Sequence, residues 1–387
     1  MHLCVDASNL KRGGGVTHLI ELLRAADPSA AGFERVVVWG SIATLALLED
    51  RPWLYKRPLP VLERNYLIRA IWQRSRLGGL ARAEGCNLLF VPGGSFATSF
   101  KPVVVMCRNM LPFEMRELLR FGISIQTVRL LLLRFTQSRS FRMAGATIFL
   151  TRYAHDAVLK VTGGVPGKVR IIPHGIDGRF MVAPRLQRPL DEYTEVHPFR
   201  LIYVSIVDVF KHQWRVVEAV ARLRGQGYPL FLELIGPSYR PALRRLRAAM
   251  RRFDPQGGVA RYLGPLPHSE LHANYARADI AVFASSCENM PNILLEAMAS
   301  GLPIACSNRG PMPEILGVAG CYFDPEDTNS IATAILGLMK SQELRARLAH
   351  AAYERAQQYS WVRCAEDTFE FLAEAAAGPV HEGISRQ

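Results

Sequence analysis

Residues 200–207 read RLIYVSIV, and this apolar run decides the fold because a complete βαβ unit follows from it. A helical pattern from Trp214 to Arg224 comes next, and a second apolar run from Leu230 to Ile235 closes the unit. Short apolar runs that alternate with amphipathic segments are typical of a parallel sheet covered by helices. We therefore predict a doubly wound α/β domain that begins at Arg200.

The same alternation extends in both directions along the chain. The predicted strands are Leu3 to Ala7, Val36 to Trp39, Asn87 to Val91, Val103 to Cys107, Thr147 to Leu150 and Val169 to Ile172 upstream, and Val259 to Leu263, Ile280 to Ala284, Pro303 to Cys306 and Cys321 to Phe323 downstream. The amphipathic segments include residues 16–26 and 62–83. A chain of 387 residues is too long for one ordinary core.

Two doubly wound, Rossmann-like α/β domains facing across a cleft therefore account for the whole sequence. We place the N-terminal domain at 1–180, a linker at 181–199 and the C-terminal domain at 200–360, because residues 173–198 are rich in Pro, Gly and charge and have no sustained periodicity. The segment 361–387 is predicted to be a helix that packs back on the N-terminal domain, followed by a flexible tail. In such folds ligands bind at the carboxyl ends of the strands.

Charge and cysteine content limit the kinds of partner. The net charge is +13, from 47 Lys and Arg against 34 Asp and Glu, so polyanions such as phosphorylated small molecules, anionic lipids or nucleic acid are attracted. The seven cysteines form no CxxC pair, and several lie in apolar runs that suit reduced thiols. We expect a cytoplasmic protein, with neither a signal peptide nor a run long enough to span a membrane.

A glycine-rich loop precedes the first predicted helix. Gly13, Gly14 and Gly15 follow Arg12, and three glycines allow backbone amides to approach an anion at the helix N-terminus. The loop is neither GxGxxG nor a Walker A sequence. A phosphate site and a plain tight turn both fit this pattern.

Two glutamates, Glu288 and Glu296, occur in the segment SSCENMPNILLEAMASGLP, residues 285–303. Glu288 is predicted in the loop after the strand from Ile280 to Ala284, and Glu296 about two turns into the next helix, so both carboxylates can face one ligand. Their spacing alone also fits a solvated loop residue and a helix charge that complements the dipole.

The sequence around this pair resembles the signature of the retaining glycosyltransferases of family 4. The second glutamate is followed by Ala297-Met298-Ala299, then Gly301 and Pro303. Other matching segments, in order, are the glycine loop, IIPHGID at 171–177, Lys211 and the pair Ser360-Trp361. The resemblance covers nearly the whole chain and implies the two-domain GT-B fold. It also implies transfer of a hexosyl group from a GDP- or UDP-sugar to a hydroxyl of a glycan or lipid-linked saccharide.

The resemblance also implies roles for individual residues. Glu296 would bind the ribose hydroxyls, Lys211 the diphosphate and Glu288 the donor sugar near the reacting centre. Further donor-binding residues would be Ser205, Asn109, Asn289, Met290, Asn292 and the three glycines of the loop. Where many family members have Gly-Arg, this chain has Ser205-Ile206, so the second diphosphate-binding cation is absent there or comes from elsewhere.

Asn109 follows the strand from Val103 to Cys107, where relatives carry a His-Asp pair near the donor sugar. It either bonds a sugar hydroxyl or caps a helix starting near Pro112. The histidines of the chain are scattered without metal-ligand spacing, and Asp-x-Asp does not occur. We therefore predict a site without a metal or any cofactor besides the sugar donor.

Residues 115–143 are rich in Leu and Arg. They form either a surface that rests on anionic lipid or an ordinary helical layer with a solvated basic face. A nucleotide-sugar epimerase of the same fold is a second hypothesis. A basic nucleic-acid-binding protein is a third, disfavoured because no recognition helix, zinc finger or RNA-binding signature accompanies the charge.

Overall fold

The computed structural model describes residues 1–10, 13–63, 68 and 71–378, and these form two compact units. Within the described ranges, the first unit comprises residues 1–113, 124–175 and 360–378, and the second comprises 114–123 and 176–359. Arg12, part of the amphipathic segment 62–83 and the predicted tail beyond Gly378 lie outside the described residues. Each unit contains one parallel sheet, and the prediction of two doubly wound α/β domains is confirmed.

The described residues form seven strands in the first sheet and six in the second. In chain order they are β1 (His2–Asp6), β2 (Arg35–Gly40), β3 (Leu54–Pro58), β4 (Leu88–Val91), β5 (Val103–Met106), β6 (Ala146–Phe149), β7 (Lys168–Ile171), β8 (Phe199–Val204), β9 (Leu230–Ile235), β10 (Ala260–Gly264), β11 (Ile280–Phe283), β12 (Ile304–Ser307) and β13 (Gly320–Phe323). Every strand predicted from the sequence is present, with ends that differ by up to three residues. Strand β3 was not predicted.

The α-helices cover both sheets. In chain order they are α1 (Gly14–Ala25), α2 (Ile42–Leu45), α3 (Gly78–Ala83), α4 (Met115–Leu119), α5 (Ile125–Met143), α6 (Arg152–Thr162), α7 (Gln213–Gly225), α8 (Arg240–Phe253), α9 (Leu271–Arg277), α10 (Asn292–Ala299), α11 (Met312–Leu316), α12 (Thr328–Lys340), α13 (Gln342–Ala356) and α14 (Trp361–Ala376). A π-helical stretch, Gln73–Leu77, precedes α3.

The first sheet has the strand order β3-β2-β1-β4-β5-β6-β7. Its central strands are buried along their whole length, as expected for a parallel sheet with helices on both faces. The last helix of the chain, α14, packs against α1 of the same unit. The rings of Phe33 and Phe369 meet there edge to face, with centroids 6.1 Å apart.

The second sheet has the order β10-β9-β8-β11-β12-β13, so the strand order reverses between β8 and β11. The start of the predicted linker packs on this unit, because the amide of Val182 donates to the carbonyl of Ala299 at 2.9 Å. Phe180, just before the linker, is fully buried. The close approach requires a glycine at 301, which has φ +63°. A Cβ there would lie 2.7 Å from the carbonyl oxygen of Val182.

The cysteines and the apolar content of the helices were both subjects of prediction from the sequence. Cys4 and Cys86 are joined as a disulfide, with Cα atoms 5.9 Å apart, so the expectation of reduced thiols is wrong for this pair. The other five cysteines are free. Among the helices that the structure describes, none has the length and apolar character needed to cross a bilayer.

Candidate active site

The carboxyl ends of β8 and β11 mark the reversal of strand order in the second sheet. Ligands of open parallel sheets bind at such a reversal, because the two loops leave in opposite directions and a crevice opens between them. The loops here are residues 205–212 after β8 and 284–291 after β11. They carry Lys211 and Glu288, and a hydrogen bond of 2.9 Å from the amide of Ser286 to the carbonyl of Phe210 joins them.

Lys211 and Glu288 form an ion pair at this position. Their side chains are only 5% and 14% exposed, so their mutual attraction is less screened than that of a surface pair. The Lys211 Nζ also lies 5.3 Å from the ring centroids of both Phe210 and Phe283, whose faces attract a cation. The structure thus brings together the residues predicted to act on the diphosphate and on the donor sugar.

Glu296 is buried in the second turn of α10. Its Oε1 lies 2.9 Å from Nε2 of His268, whereas its Oε2 is buried and has no hydrogen-bond partner among the described residues. The Tyr275 hydroxyl is close enough to Glu296 for the carboxylate to raise the pKa of Tyr275, after the larger effect of burial, and it donates to the carbonyl of Ile293 at 3.3 Å. Leaving a buried carboxylate oxygen unpaired costs about 1–3 kcal/mol, and such exceptions call for a missing partner. Oε2 can therefore accept a hydrogen bond from a ligand.

His268 is a residue of this site that the sequence did not reveal. It follows strand β10 and begins a short 3₁₀-helix, His268–Glu270, and the ring of Phe180 packs against it with centroids 5.4 Å apart. The hydrogen bond to Glu296 raises the pKa of His268, against the opposing effect of burial. The sequence predicted no metal-binding role for this histidine. Its place at the carboxyl edge of the sheet was the useful signal.

The predicted residues around Glu288 are held close to the pair. Asn289 and Met290 are buried in the loop after β11. Asn292 is the first residue of α10, and its Oδ1 is buried without a hydrogen-bond partner in the described part of the chain. A buried amide oxygen beside a carboxylate site is a second acceptor available to a polar ligand.

Ser205 and Ile206 occupy the place where the resemblance expects a glycine and an arginine. The Ser205 hydroxyl donates to the carbonyl of Ile206 at 3.1 Å, and Gln213 Nε2 donates to the same oxygen at 2.9 Å. The Ile206 side chain is exposed and brings no charge. The loop is therefore closed on itself by hydrogen bonds, and Lys211 is the cation of the loop.

The glycine loop lies in the first unit, where it contacts the side chain of Arg108. No described side chain caps the N-terminus of α1. Gly13 occupies the N-cap of α1 with φ +76°. Nη2 of Arg108 donates to the carbonyl of Gly14 at 2.6 Å, and Nη1 is buried without a partner among the described residues. Burial lowers the pKa of Arg108 to about 10. The guanidinium therefore stays charged at neutral pH beneath this loop, and its place there was not predicted from the sequence.

Asn109 closes a turn. Its Oδ1 accepts a hydrogen bond from the amide of Leu111 at 3.2 Å, and the next helix, α4, begins only at Met115. The predicted helix start near Pro112 is therefore wrong, and Asn109 caps no helix. Its amide nitrogen is not used by this turn.

The motif IIPHGID contributes to packing in the first unit. Nδ1 of His174 lies 2.8 Å from Nδ1 of His18 on α1, and both rings contact Trp361. Burial, followed by the charge of Arg108, lowers the pKa of both histidines well below the usual value, so both are neutral. Gly175 has no room for a Cβ because the backbone of Trp361 lies against it. The motif and the pair Ser360-Trp361 therefore occur together for a steric reason.

No group of three or more His, Cys, Asp or Glu side chains that could hold a metal ion is found in the described ranges. The two glutamates of the site are each paired with a basic side chain, Glu288 with Lys211 and Glu296 with His268. A site without a metal stays a prediction.

Comparison with known proteins agrees with this fold. Residues 194–355 match the family model described as "Glycosyl transferases group 1". O-antigen chain mannosyltransferase B of Escherichia coli is 36% identical over 111 residues, which cover 29% of each chain. Sucrose-phosphate synthase from Thermosynechococcus elongatus superposes with a TM-score of 0.74 at 18% identity, covering 98% of this chain and 100% of that chain. Anabaena Alr3699/HepE in complex with UDP and glucose has a TM-score of 0.71 at 18% identity, covering 97% and 100%.

These matches cover different parts of the chain. The family model covers most of the second unit and includes Lys211, Glu288, Glu296 and His268. The similar structures span nearly the whole chain and share its fold of two α/β units. The curated relative is matched over less than two thirds of its own length.

Proposed function

We propose that this chain is a retaining glycosyltransferase of family 4 that transfers a hexosyl group from a nucleoside diphosphate sugar to a hydroxyl. The observation that carries the proposal is the grouping of Lys211, Glu288 and a half-satisfied Glu296 at the strand-order reversal of the second sheet. The family model matched by residues 194–355 and the UDP complex of a protein with the same fold support it.

Glu296 binds the nucleotide in this proposal. A carboxylate accepts hydrogen bonds from two neighbouring hydroxyls, and the ribose of a nucleotide offers such a pair. The unpaired Oε2 accepts one of them, and the bond from His268 holds Oε1 in place. Oε2, whose missing hydrogen bond destabilises the free protein, then gains a hydrogen bond only when the ligand is bound.

Lys211 and Glu288 act on the reacting part of the donor. The ammonium stabilises negative charge that builds on the diphosphate as the glycosidic bond breaks. The acceptor hydroxyl attacks the anomeric carbon from the face that the diphosphate leaves, and a leaving phosphate oxygen takes the hydroxyl proton. Glu288 orients the donor sugar and positions Lys211 through their ion pair, without forming a covalent bond to the sugar.

Arg108 with the glycine loop is a separate anion site of the first unit. Its buried Nη1 has no partner among the described residues, and the amides at the N-terminus of α1 favour negative charge. We therefore assign binding of a phosphate group to Arg108 and Gly13 to Gly15 within the first unit.

The donor and acceptor are assigned by class. Alr3699/HepE binds UDP and glucose, and the E. coli relative is an O-antigen chain mannosyltransferase, so both UDP- and GDP-linked hexoses belong in the test. A glycan or lipid-linked saccharide of a surface polysaccharide supplies the acceptor hydroxyl. No nucleic acid takes part.

A lipid-linked acceptor agrees with the surface of α5. Ile125 and Phe135 are 89% and 65% exposed, and the helix contains no acidic residue. The exposed side chains of this helix are Ile125, Val128, Arg129, Leu131, Leu132, Phe135, Arg139, Arg142 and Met143. At 100° per residue they fall on one face. Apolar side chains mixed with arginines on one face suit the boundary of an anionic bilayer, so we place the enzyme peripherally on the cytoplasmic membrane.

Vesicle binding tests this placement. Co-sedimentation with vesicles that contain phosphatidylglycerol should exceed that with pure phosphatidylcholine, and Phe135→Ser should lower it about tenfold, the value of one buried apolar side chain. Ile42→Ser, which changes an exposed apolar residue of α2, is the control and should bind as the wild type does. Equal binding to both vesicles, or to neither, would show that α5 is not a lipid surface.

Ligand binding and product analysis test the function itself. We expect UDP or GDP, with its sugars, to raise the unfolding temperature, since a ligand at a hundred times its dissociation constant contributes about 2.7 kcal/mol. Incubation of the stabilising sugar nucleotide alone should yield no isomer, whereas an epimerase would produce one. Stabilisation by no nucleotide in the panel would refute the proposal.

A further inference from the structure

A short segment from the first half of the chain reaches the active-site loops of the second unit. Residues 114–123 cluster with the second unit, whereas residues on both sides of this segment belong to the first. We call this segment the arm. Its helix α4 carries Glu117, which is buried although it is charged and lies on a five-residue helix.

Glu117 is buried because it has specific partners. Its Oε2 accepts a hydrogen bond of 2.5 Å from the Ser286 hydroxyl, and Arg120 donates to both of its oxygens at 2.7 and 3.1 Å. Arg120 and Arg116 also bind Glu326 of the second unit. A buried carboxylate is tolerated only when it is paired in this way. The arm is therefore fixed to the loop that contains Glu288 two residues after Ser286.

The same serine binds His212, which follows Lys211. The Ser286 Oγ lies 2.9 Å from Nε2 of His212. The Ser286 hydroxyl has two acceptors, the Glu117 carboxylate at 2.5 Å and the Phe210 carbonyl at 3.2 Å, and its single proton goes to the closer, charged one. Oγ therefore accepts from His212, and Nε2 carries the hydrogen. Burial lowers the pKa of His212 to about 3, so the ring stays neutral and this tautomer persists.

The backbone at His212 shows why this bond matters. His212 has φ +51°, in the left-handed region that only glycine adopts without cost. Such strained residues persist where their surroundings hold them, and they cluster at active sites. The hydrogen bond that His212 donates to Ser286 restrains the strained residue next to Lys211.

We propose that Glu117 is a positioning residue that acts through Ser286 and His212 to fix the two loops carrying Glu288 and Lys211. The chain of contacts runs from the arm to one loop and on to the other, and it ends beside both members of the ion pair. Its effect on catalysis rests on the proposed function, whereas its effect on loop order does not.

Hydrogen exchange of the full-length chain tests the order of the loops. In Glu117→Ala, the amides of residues 205–212 and 284–291 should exchange about tenfold faster than in the wild type, because these loops lose a shared restraint. Glu117→Gln keeps an oxygen that accepts from Ser286 and should exchange nearly as the wild type. Glu326→Gln is the control, because it removes ion pairs of the arm and leaves the contacts of Ser286 intact. Unchanged exchange in Glu117→Ala overturns the inference.

Kinetics test the consequence for turnover. With UDP-glucose or GDP-mannose, whichever the wild type cleaves, Glu117→Ala should lower kcat about thirtyfold and change the affinity for UDP or GDP about twofold at most. Ser286→Ala should have the same effect, and the double variant should be no slower than either, since one pathway is removed once. Ser286→Ala also serves if Glu117→Ala does not fold. Two results would overturn the inference. One is a double variant whose loss of kcat is the product of the two single losses, and the other is a loss of kcat in Glu326→Gln as large as that in Glu117→Ala. If the loops exchange faster in Glu117→Ala but the wild type cleaves no sugar nucleotide, the proposed function is refuted and the role of Glu117 in loop order stands.

Discussion

Replacing Glu296 by glutamine should weaken nucleotide binding by a calculable amount. The wild-type carboxylate has one buried oxygen, Oε2, with no partner among the described residues. A hydrogen bond to a charged acceptor contributes about 1.5–3 kcal/mol. Loss of about 2 kcal/mol corresponds to a dissociation constant about thirtyfold higher. At a ligand concentration of a hundred wild-type dissociation constants, the stabilisation by UDP or GDP should fall from about 2.7 to about 0.9 kcal/mol.

The ligand provides the second half of this experiment. If Glu296 binds a ribose hydroxyl, the 2′-deoxy or the 3′-deoxy nucleotide should bind the wild type about as weakly as the intact nucleotide binds Glu296→Gln. The variant should not distinguish that deoxy form from the intact nucleotide. Isothermal titration of the wild type and the variant with the intact and the two deoxy nucleotides gives all six dissociation constants. Glu270→Gln changes an exposed carboxylate at the same edge of the sheet and should bind normally. If the two losses multiply for both deoxy forms, Glu296 does not bind the ribose.

Three further predictions follow from other contacts. Lys211→Met should lower kcat by about 10² or more, because it removes a group that stabilises the charge developing on the diphosphate. Lys340→Met is the control and should not lower kcat. A wild-type rate in Lys211→Met would exclude the proposed role of Lys211. The Glu296 bond raises the pKa of His268, so its stabilisation is complete below about pH 6.5 and is lost as pH rises through the raised value. The difference in unfolding temperature between wild type and His268→Gln should therefore shrink towards alkaline pH, and a constant difference would contradict this. Gly301→Ala should destabilise the second unit by about 1–3 kcal/mol in urea unfolding. Gly337→Ala is the control, because Gly337 has open space around it, and it should not destabilise the unit. Equal stabilities of the two variants would disprove the steric argument.

The sequence predicted the strands well because a parallel sheet buries continuous apolar runs. Every run chosen for that reason became a strand, including those from Leu230 to Ile235 and from Ile280. Strand β3 was missed because its sequence, LYKRP, has three exposed residues and contains Lys, Arg and Pro. It is the edge strand of the first sheet, where charged residues and proline are tolerated. Edge position is a tertiary property that a local pattern does not report.

The site was predictable where one segment carries several of its residues. Glu288 and Glu296 lie in one strand–loop–helix segment, and Lys211 follows a neighbouring strand. The contacts of His268 and Glu117 were not predictable, because each joins segments far apart in the chain. Glu296 and His268 are 28 positions apart, and Glu117 and Ser286 are 169 apart. No rule of spacing connects residues that only the folded sheet brings together.

The pairing of Cys4 with Cys86 shows the same limit. The two residues are 82 positions apart, one in β1 and one just before β4, and these strands are neighbours in the first sheet. A search for CxxC pairs does not detect such a contact, since it depends on which strands become adjacent. Strand order, rather than strand position, was the information missing from the sequence.

The configuration of the first product tests the central claim most directly. The full-length protein is incubated with UDP-α-glucose or GDP-α-mannose and an octyl glycoside as acceptor, and proton NMR follows the anomeric signals from the earliest times. We predict release of the nucleoside diphosphate together with a new α-linked sugar, and no such signal in Lys211→Met. A β-linked product would contradict retention, and intact sugar nucleotides throughout would contradict the proposed activity.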